Sequence, residues 1–198
     1  KISDTVRDNK LIFGNSKKRY TLSRNIKRAK KNNIRCEIIN SIEDFDNWYH
    51  NCHLKRISEL KGKIWDYGIL KKIVFDGSGN LVIAKNHDNI ILGGCVFLKS
   101  PIILELFMMS SPQKYLNIGV NYLLTEWLYI YAYKQNLKYV NWQSSNPPIG
   151  PLVEYKKSWN SNEYPFTLLN WKCNDKLNKN YLMSNFKDFY IYPFDNLN

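Results

Sequence analysis

Apolar residues recur along this chain at two periods, and the alternation between them lays out its elements. In TLSRNIKRAKKNNI, Leu22, Ile26 and Ala29 share one helical face, with Thr21 or Ser23 as cap and Asn32-Asn33 as stop. IRCEIIN reads as a strand. Ser41, followed three residues later by Asp44, imitates a capping box and predicts a helix to about Ile57, with Phe45, Trp48, Tyr49 and Cys52 on its core face. A linker at Lys61-Gly62-Lys63 precedes a helix from about Ile64 to Phe75, closed by the turn residues Asp76 to Asn80. LVIAKN and IILGGCVFL flank His87-Asp88-Asn89 as a hairpin, and Lys99-Ser100-Pro101 turns the chain into a third strand, IILELFMM. Gly93-Gly94 marks a bulge or a close approach to the backbone. Val120, Leu123, Leu124, Trp127, Leu128 and Tyr131 then recur at three and four, giving a long amphipathic helix from about Asn117 to Asn136. Strand YVNWQ, a loop, a helix through Trp159, strand YPFTLLNWK and an aromatic tail (FYIYPF) complete the pattern.

This order predicts an α/β class fold of the α+β mixed-sheet kind, with helices flanking the sheet. The long helix joins two strands that should lie parallel through a right-handed crossover. Residues 1–20 read as a polar, basic lead-in, 21–173 as the domain, and 174–198 as a tail that adds a last strand to the same sheet. The first residue is Lys1, so an upstream domain stays open.

Composition narrows the partners. A formal charge of +12, from 29 Lys and Arg against 17 Asp and Glu, favours anions: nucleic acid, phosphorylated substrates or acidic lipid surfaces. An AT-rich coding bias toward Lys and Asn accounts for the charge equally well. Arg24, Lys27, Arg28 and Lys31 crowd the polar face of the first helix, either as a solvated face or as a phosphate-binding one. Cys36, Cys52, Cys95 and Cys173 show no paired spacing, which fits a reduced, cytoplasmic setting. His50 and His53 around Cys52 lack a fourth ligand, so no metal is predicted. No apolar run is long enough to span a bilayer.

The densest chemistry lies in YVNWQSSNPPIGPLVEYKKSWN, from Tyr139 to Asn160. Asn146-Pro147-Pro148 separates strand from helix, Pro151 sits just inside the helix start, and that helix carries Tyr155, Lys156 and Trp159. A strand end exposing Ser145 and Asn146 beside a helix N-terminus suits a developing oxyanion. No carboxylate stands out as a base: Glu105 reads as mid-strand, and Asp66 and Glu126 show no partner.

Three stretches, RNIKRAKKNNIR, GVNYLLTEWLYIYAYKQNLKYVNW and SSNPPIGPLVEYKKSWN, resemble those of the GCN5-related acyltransferase (GNAT) fold, in its FemAB-like branch. That branch includes the peptidoglycan bridge aminoacyltransferases and related acetyltransferases. The resemblance covers about Arg24 to Trp171. It implies an N-acyltransferase that moves an acyl or aminoacyl group from acyl-CoA or aminoacyl-tRNA to an amine of a cell-envelope sugar or peptide. It further implies that the third meander strand and YVNWQ splay apart beside Met108, Met109 and Ser110. Lys156 would then stabilise negative charge, Tyr155 protonate the leaving group, and Ser145 and Asn146 bind donor or acceptor. Ser110, Gly119 and Asn121 would line the donor site, and Arg24, Lys27, Arg28, Lys31 and Trp159 would hold phosphate or substrate. The family's closing Gly is Asn160 here, and Gln113 and Gly119 stand too far apart for its usual phosphate loop. The competing reading is a non-catalytic RNA- or phosphate-binding module on the same fold.

Overall fold

In the computed structural model, residues 1–12, 17–77, 79–144 and 150–164 are described, with Asn180 and Ser184. Strands β3 (Arg35–Ile38), β4 (Gly79–Lys85), β5 (Ile91–Lys99), β6 (Ile103–Ser110) and β7 (Tyr139–Asn141) form one sheet in that order. β3 to β6 are antiparallel neighbours, and β7 pairs parallel to β6. The parallel pair follows from helix α6 (Val120–Lys134), which carries the chain back along the sheet.

Side chains alternate across the sheet into two cores. Val82, Ala84, Cys95, Phe97 and Leu104 face α6 and helix α1 (Lys17–Lys31). Leu81, Ile83 and Val96 face α2 (Ile42–Trp48) and α4 (Tyr67–Phe75). Between α2 and α3 (Leu54–Leu60) the helix widens into a π turn over Tyr49–His53. This turn brings both Cys52 and His53 into the interior. α5 (Gln113–Leu116) and α7 (Gly150–Ser158) complete the helices among the described residues.

The local signals work as read. Ser41 Oγ accepts the Asp44 N–H at 3.1 Å, and Asn33 at φ 52° ends α1. Gly93 and Gly94 meet both expectations. The register slips from Ala84–Gly93 to Lys85–Ile91, and a Cβ on Gly93 would lie 1.9 Å from Ser111 Oγ.

Three boundaries differ. α1 begins at Lys17, a turn ahead of Thr21, because Lys and Arg are good helix formers and extend it. α4 begins at Tyr67, where the Asp66 carboxylate caps the Ile69 N–H at 3.0 Å. The expected lead-in is structured over residues 1–12. A 3-10 turn (Ile2–Asp4) and a small hairpin, β1 (Val6–Arg7) with β2 (Lys10–Leu11), pack Ile2, Val6 and Leu11 into the α6-side core. The loop residues Ser145 to Pro148, the strand at 165–172 and the tail beyond 174 lie outside the described residues, apart from Asn180 and Ser184.

Candidate active site

The sheet forks between β6 and β7. The two pair at Ile103–Tyr139, Leu104–Val140 and Glu105–Asn141, while β6 runs on to Ser110 against β5 alone. Leu106 to Ser110 therefore have no ladder partner on the β7 side among the described residues. A bulge at Phe107, where Val96 faces Met108 and Phe97 faces Leu106, bends β6 at the same point. β7 is turned aside by Gln143, which takes a left-handed conformation at φ 60°. Its N–H rests on Asn141 Oδ1 at 3.0 Å and its side-chain amide donates to Glu105 Oε2 at 2.6 Å. An unpaired strand edge supplies fixed N–H donors, the requirement for polarising an acyl carbonyl.

α7 closes over the fork. Lys156 Nζ donates to the carbonyls of Trp142 at 2.8 Å and Gln143 at 3.1 Å, so its charge lies on the end of β7. Desolvation lowers its pKa. The Tyr155 hydroxyl reaches the start of α6, donating to Asn121 O at 3.2 Å and lying 3.0 Å from Thr125 Oγ1. Burial pushes its phenol well above the usual range, which keeps it protonated.

The start of α6 forms the far wall. Its first-turn N–H groups have no acceptor within the helix, and Gly119 precedes them at φ 88°. A Cβ at Gly119 would lie 2.3 Å from Asn25 O, so this glycine lets α1 pack tightly beside the helix end. That packing brings two of α1's basic residues to the same end. Arg28 Nη1 donates to Asn117 O at 2.6 Å, and the Arg24 charge opposes the burial that raises the Tyr122 phenol. Lys27 and Lys31 continue the exposed stripe. Asn121 Oδ1 accepts the Ser111 hydroxyl at 2.6 Å.

Two expected contacts are corrected. Trp159 is 1 % exposed and stacked on Tyr129 at 5.5 Å, so it has no face for a ligand. Ser110 is equally enclosed, with its hydroxyl 3.0 Å from His53 Nδ1, and serves the strand end rather than a donor. His53 itself is fully buried and stacks on Trp48, and desolvation lowers its pKa to about 4. Its Nε2 has no partner among the described residues. Glu126 pairs with Lys30 at 2.8 Å. Ninety-six residues separate the two, too far for helical spacing to signal the pair.

Glu105 is the residue that the sequence reading passed over. It occupies the last paired position before the fork, on the opposite sheet face from Leu104 and Leu106, which pack toward α6. A carboxylate flanked by apolar neighbours in a strand was its only signal.

No protein-family model and no curated protein matches the sequence. The fold does match solved structures. An aminoglycoside acetyltransferase from an uncultured soil metagenomic sample, in complex with sisomicin, superposes with a TM-score of 0.58 at 13% identity. That match covers 73% of this chain and 99% of the other. A possible acetyltransferase from Clostridium difficile 630 gives 0.57 at 14%, covering 71% and 98%. L-PGS from Bacillus licheniformis gives 0.52 at 13%, covering 74% of this chain and 48% of that one. The mixed sheet flanked by helices is therefore that of GNAT-like acetyltransferases.

Proposed function

We propose that the protein is an N-acyltransferase whose donor is an acyl-CoA and whose acceptor is an amine, with the reaction centred on the β6–β7 fork. The observation that carries this is the fork itself: β6 continues past Glu105 while β7 leaves it, in a fold otherwise joined along its ladders. An acyl thioester laid along the free edge of β6 would meet backbone N–H donors at its carbonyl. Its phosphates would meet the start of α6, where helix N–H groups, Arg24 and Arg28 converge. The chain's residues thus fit acyl-CoA.

In this reading the amine nitrogen attacks the carbonyl carbon, the C–N bond forms and the C–S bond breaks. Glu105, at the apex of the fork, takes the proton from the attacking amine. Tyr155, held protonated by burial, is assigned as a neutral hydrogen-bond donor to the leaving sulfur, turning from Asn121 O, and the thiolate takes its proton from solvent. Lys156 holds the end of β7 away from β6 and sets a positive charge at the mouth of the cleft. Ser145 and Asn146, next in the chain after this mouth, are assigned to the acceptor.

The basic helix ahead of the sheet and the Tyr155-Lys156 motif favour the FemAB-like branch, and one structural neighbour acts on an aminoglycoside. We therefore assign the acceptor as an amino sugar or peptide amine of the cell envelope, with the protein acting in the cytoplasm. Aminoacyl-tRNA is the less favoured donor, because Arg28 and Arg24 gather at the start of α6, a site of the size of one diphosphate.

The test is thiol release from acetyl-CoA across a panel of amino sugars and peptide amines. The proposal expects turnover that drops about 100-fold or more in Glu105→Gln and Tyr155→Phe. Binding of bulk RNA with no turnover on any amine, and no dependence on Tyr155 or Glu105, would establish the phosphate-binding module instead.

A further inference from the structure

Ten consecutive residues at the junction of α3 and α4 form an apolar knob ringed by lysine. Leu60, Ile64, Trp65 and Ile69 are 57, 58, 37 and 52 % exposed. Lys61 and Lys63 lie between them and Lys72 follows on the next turn, all three exposed. The chain is committed to this shape. Lys61 ends α3 in a left-handed conformation, and the Gly62 N–H closes back on Ile57 O at 3.0 Å, which throws the following residues outward. The loop is also anchored: the Tyr49 hydroxyl donates to Trp65 O at 2.8 Å, and the Trp65 ring meets Phe107 edge-on at 5.1 Å. The Asp66 carboxylate accepts the Ile69 N–H at 3.0 Å and so starts α4 directly after the loop.

We propose that this knob docks the protein on an anionic lipid bilayer. Aliphatic and indole side chains suit the headgroup and acyl boundary, and lysines beside them suit lipid phosphates. A protein groove is the poorer match, since the centres of protein interfaces are depleted of lysine. Phe107, which Trp65 touches, is the bulged residue at the fork, so docking sets the cleft against the membrane surface. Combined with the acyltransferase reading, this places the acceptor amine on a membrane-associated molecule. The docking itself does not depend on that reading.

The experiment is flotation of the full chain with vesicles of equal parts phosphatidylglycerol and phosphatidylcholine, against vesicles of phosphatidylcholine alone. The proposal expects about 10-fold or more tighter binding to the anionic vesicles, weakening with salt. Ile64→Ser with Ile69→Ser should lower that binding about 10-fold, and Lys61→Glu with Lys63→Glu should do the same. These side chains are exposed, so unchanged thermal unfolding will show that the variants fold. Equal affinity for both vesicle types would overturn the proposal. So would binding that survives both double variants but is lost with Lys27→Glu and Lys31→Glu on α1. A dimer that Ile64→Ser and Ile69→Ser dissociate, with no flotation, would assign the knob to a second copy of the chain and equally overturn it. Flotation reads no turnover, so its failure leaves the acyltransferase test untouched.

Discussion

Lys156 and Trp142 are joined by an N–H···O contact of 2.8 Å, ammonium to backbone carbonyl, at the point where β7 parts from β6. A helix side chain thus holds a strand end. If that contact keeps the fork open, Lys156→Met should lower stability by about 1.5–3 kcal/mol, the range for a hydrogen bond to a charged group. The same change should lower acetyl transfer at least about 10-fold. Lys156→Arg, which keeps the charge, should recover part of both. Urea unfolding and thiol-release kinetics measure the pair.

Gly119 should tolerate no side chain. A Cβ there meets Asn25 O at 2.3 Å in a backbone conformation of φ 88°, and that oxygen is backbone in the middle of α1 and cannot swing away. Gly119→Ala should cost about 2–4 kcal/mol in urea unfolding. Gly150→Ala, where a Cβ meets nothing within 4 Å, should be nearly neutral.

His53 gives the fold an acid limit. Its folded pKa of about 4 lies below the ordinary 6.5, so between those values the unfolded chain binds a proton that the folded one refuses. Stability should be unaffected by this group above pH 6.5 and should fall as pH drops toward 4, by up to about 3 kcal/mol. Unfolding midpoints of the wild type and His53→Asn, compared near pH 7 and near about pH 4.5, isolate the effect. The wild type should lose more than the variant.

The ion pair between Lys30 and Glu126 is asymmetric, because the lysine side chain is 55% exposed and the glutamate 10%. Removing the exposed partner strands a charge that burial penalises. Lys30→Ala should therefore cost more, about 1–3 kcal/mol, than Glu126→Gln. Chemical denaturation of the two variants checks it.

Much of this architecture was legible because its signals are local. Periodicity marked α6, the Asp88-Asn89 turn marked the hairpin, and the paired glycines marked the places where Ser111 and Trp48 press on β5. What escaped depends on distance along the chain. Glu126 looked partnerless because Lys30 lies in another helix, and Glu105 looked like a mid-strand residue because only the departure of β7 makes it an apex. Trp159 was assigned to a ligand on motif position alone, whereas the stack on Tyr129 draws it into the core. The polar N-terminal segment hid three buried apolar residues, since Ile2, Val6 and Leu11 follow neither helical nor strand spacing long enough to register. The parallel run of β7 and β6 followed from the length of the crossover helix, whereas the early end of their pairing came only from the family resemblance.

The account stands on the fork as the seat of the acyl donor. Backbone hydrogen exchange with and without acetyl-CoA tests this directly, read peptide by peptide. The account predicts slowed exchange over Leu106–Ser110 and the first turn of α6, with little change along β3 and β4. Unchanged exchange in β6, or protection confined to the α1 stripe, would contradict it.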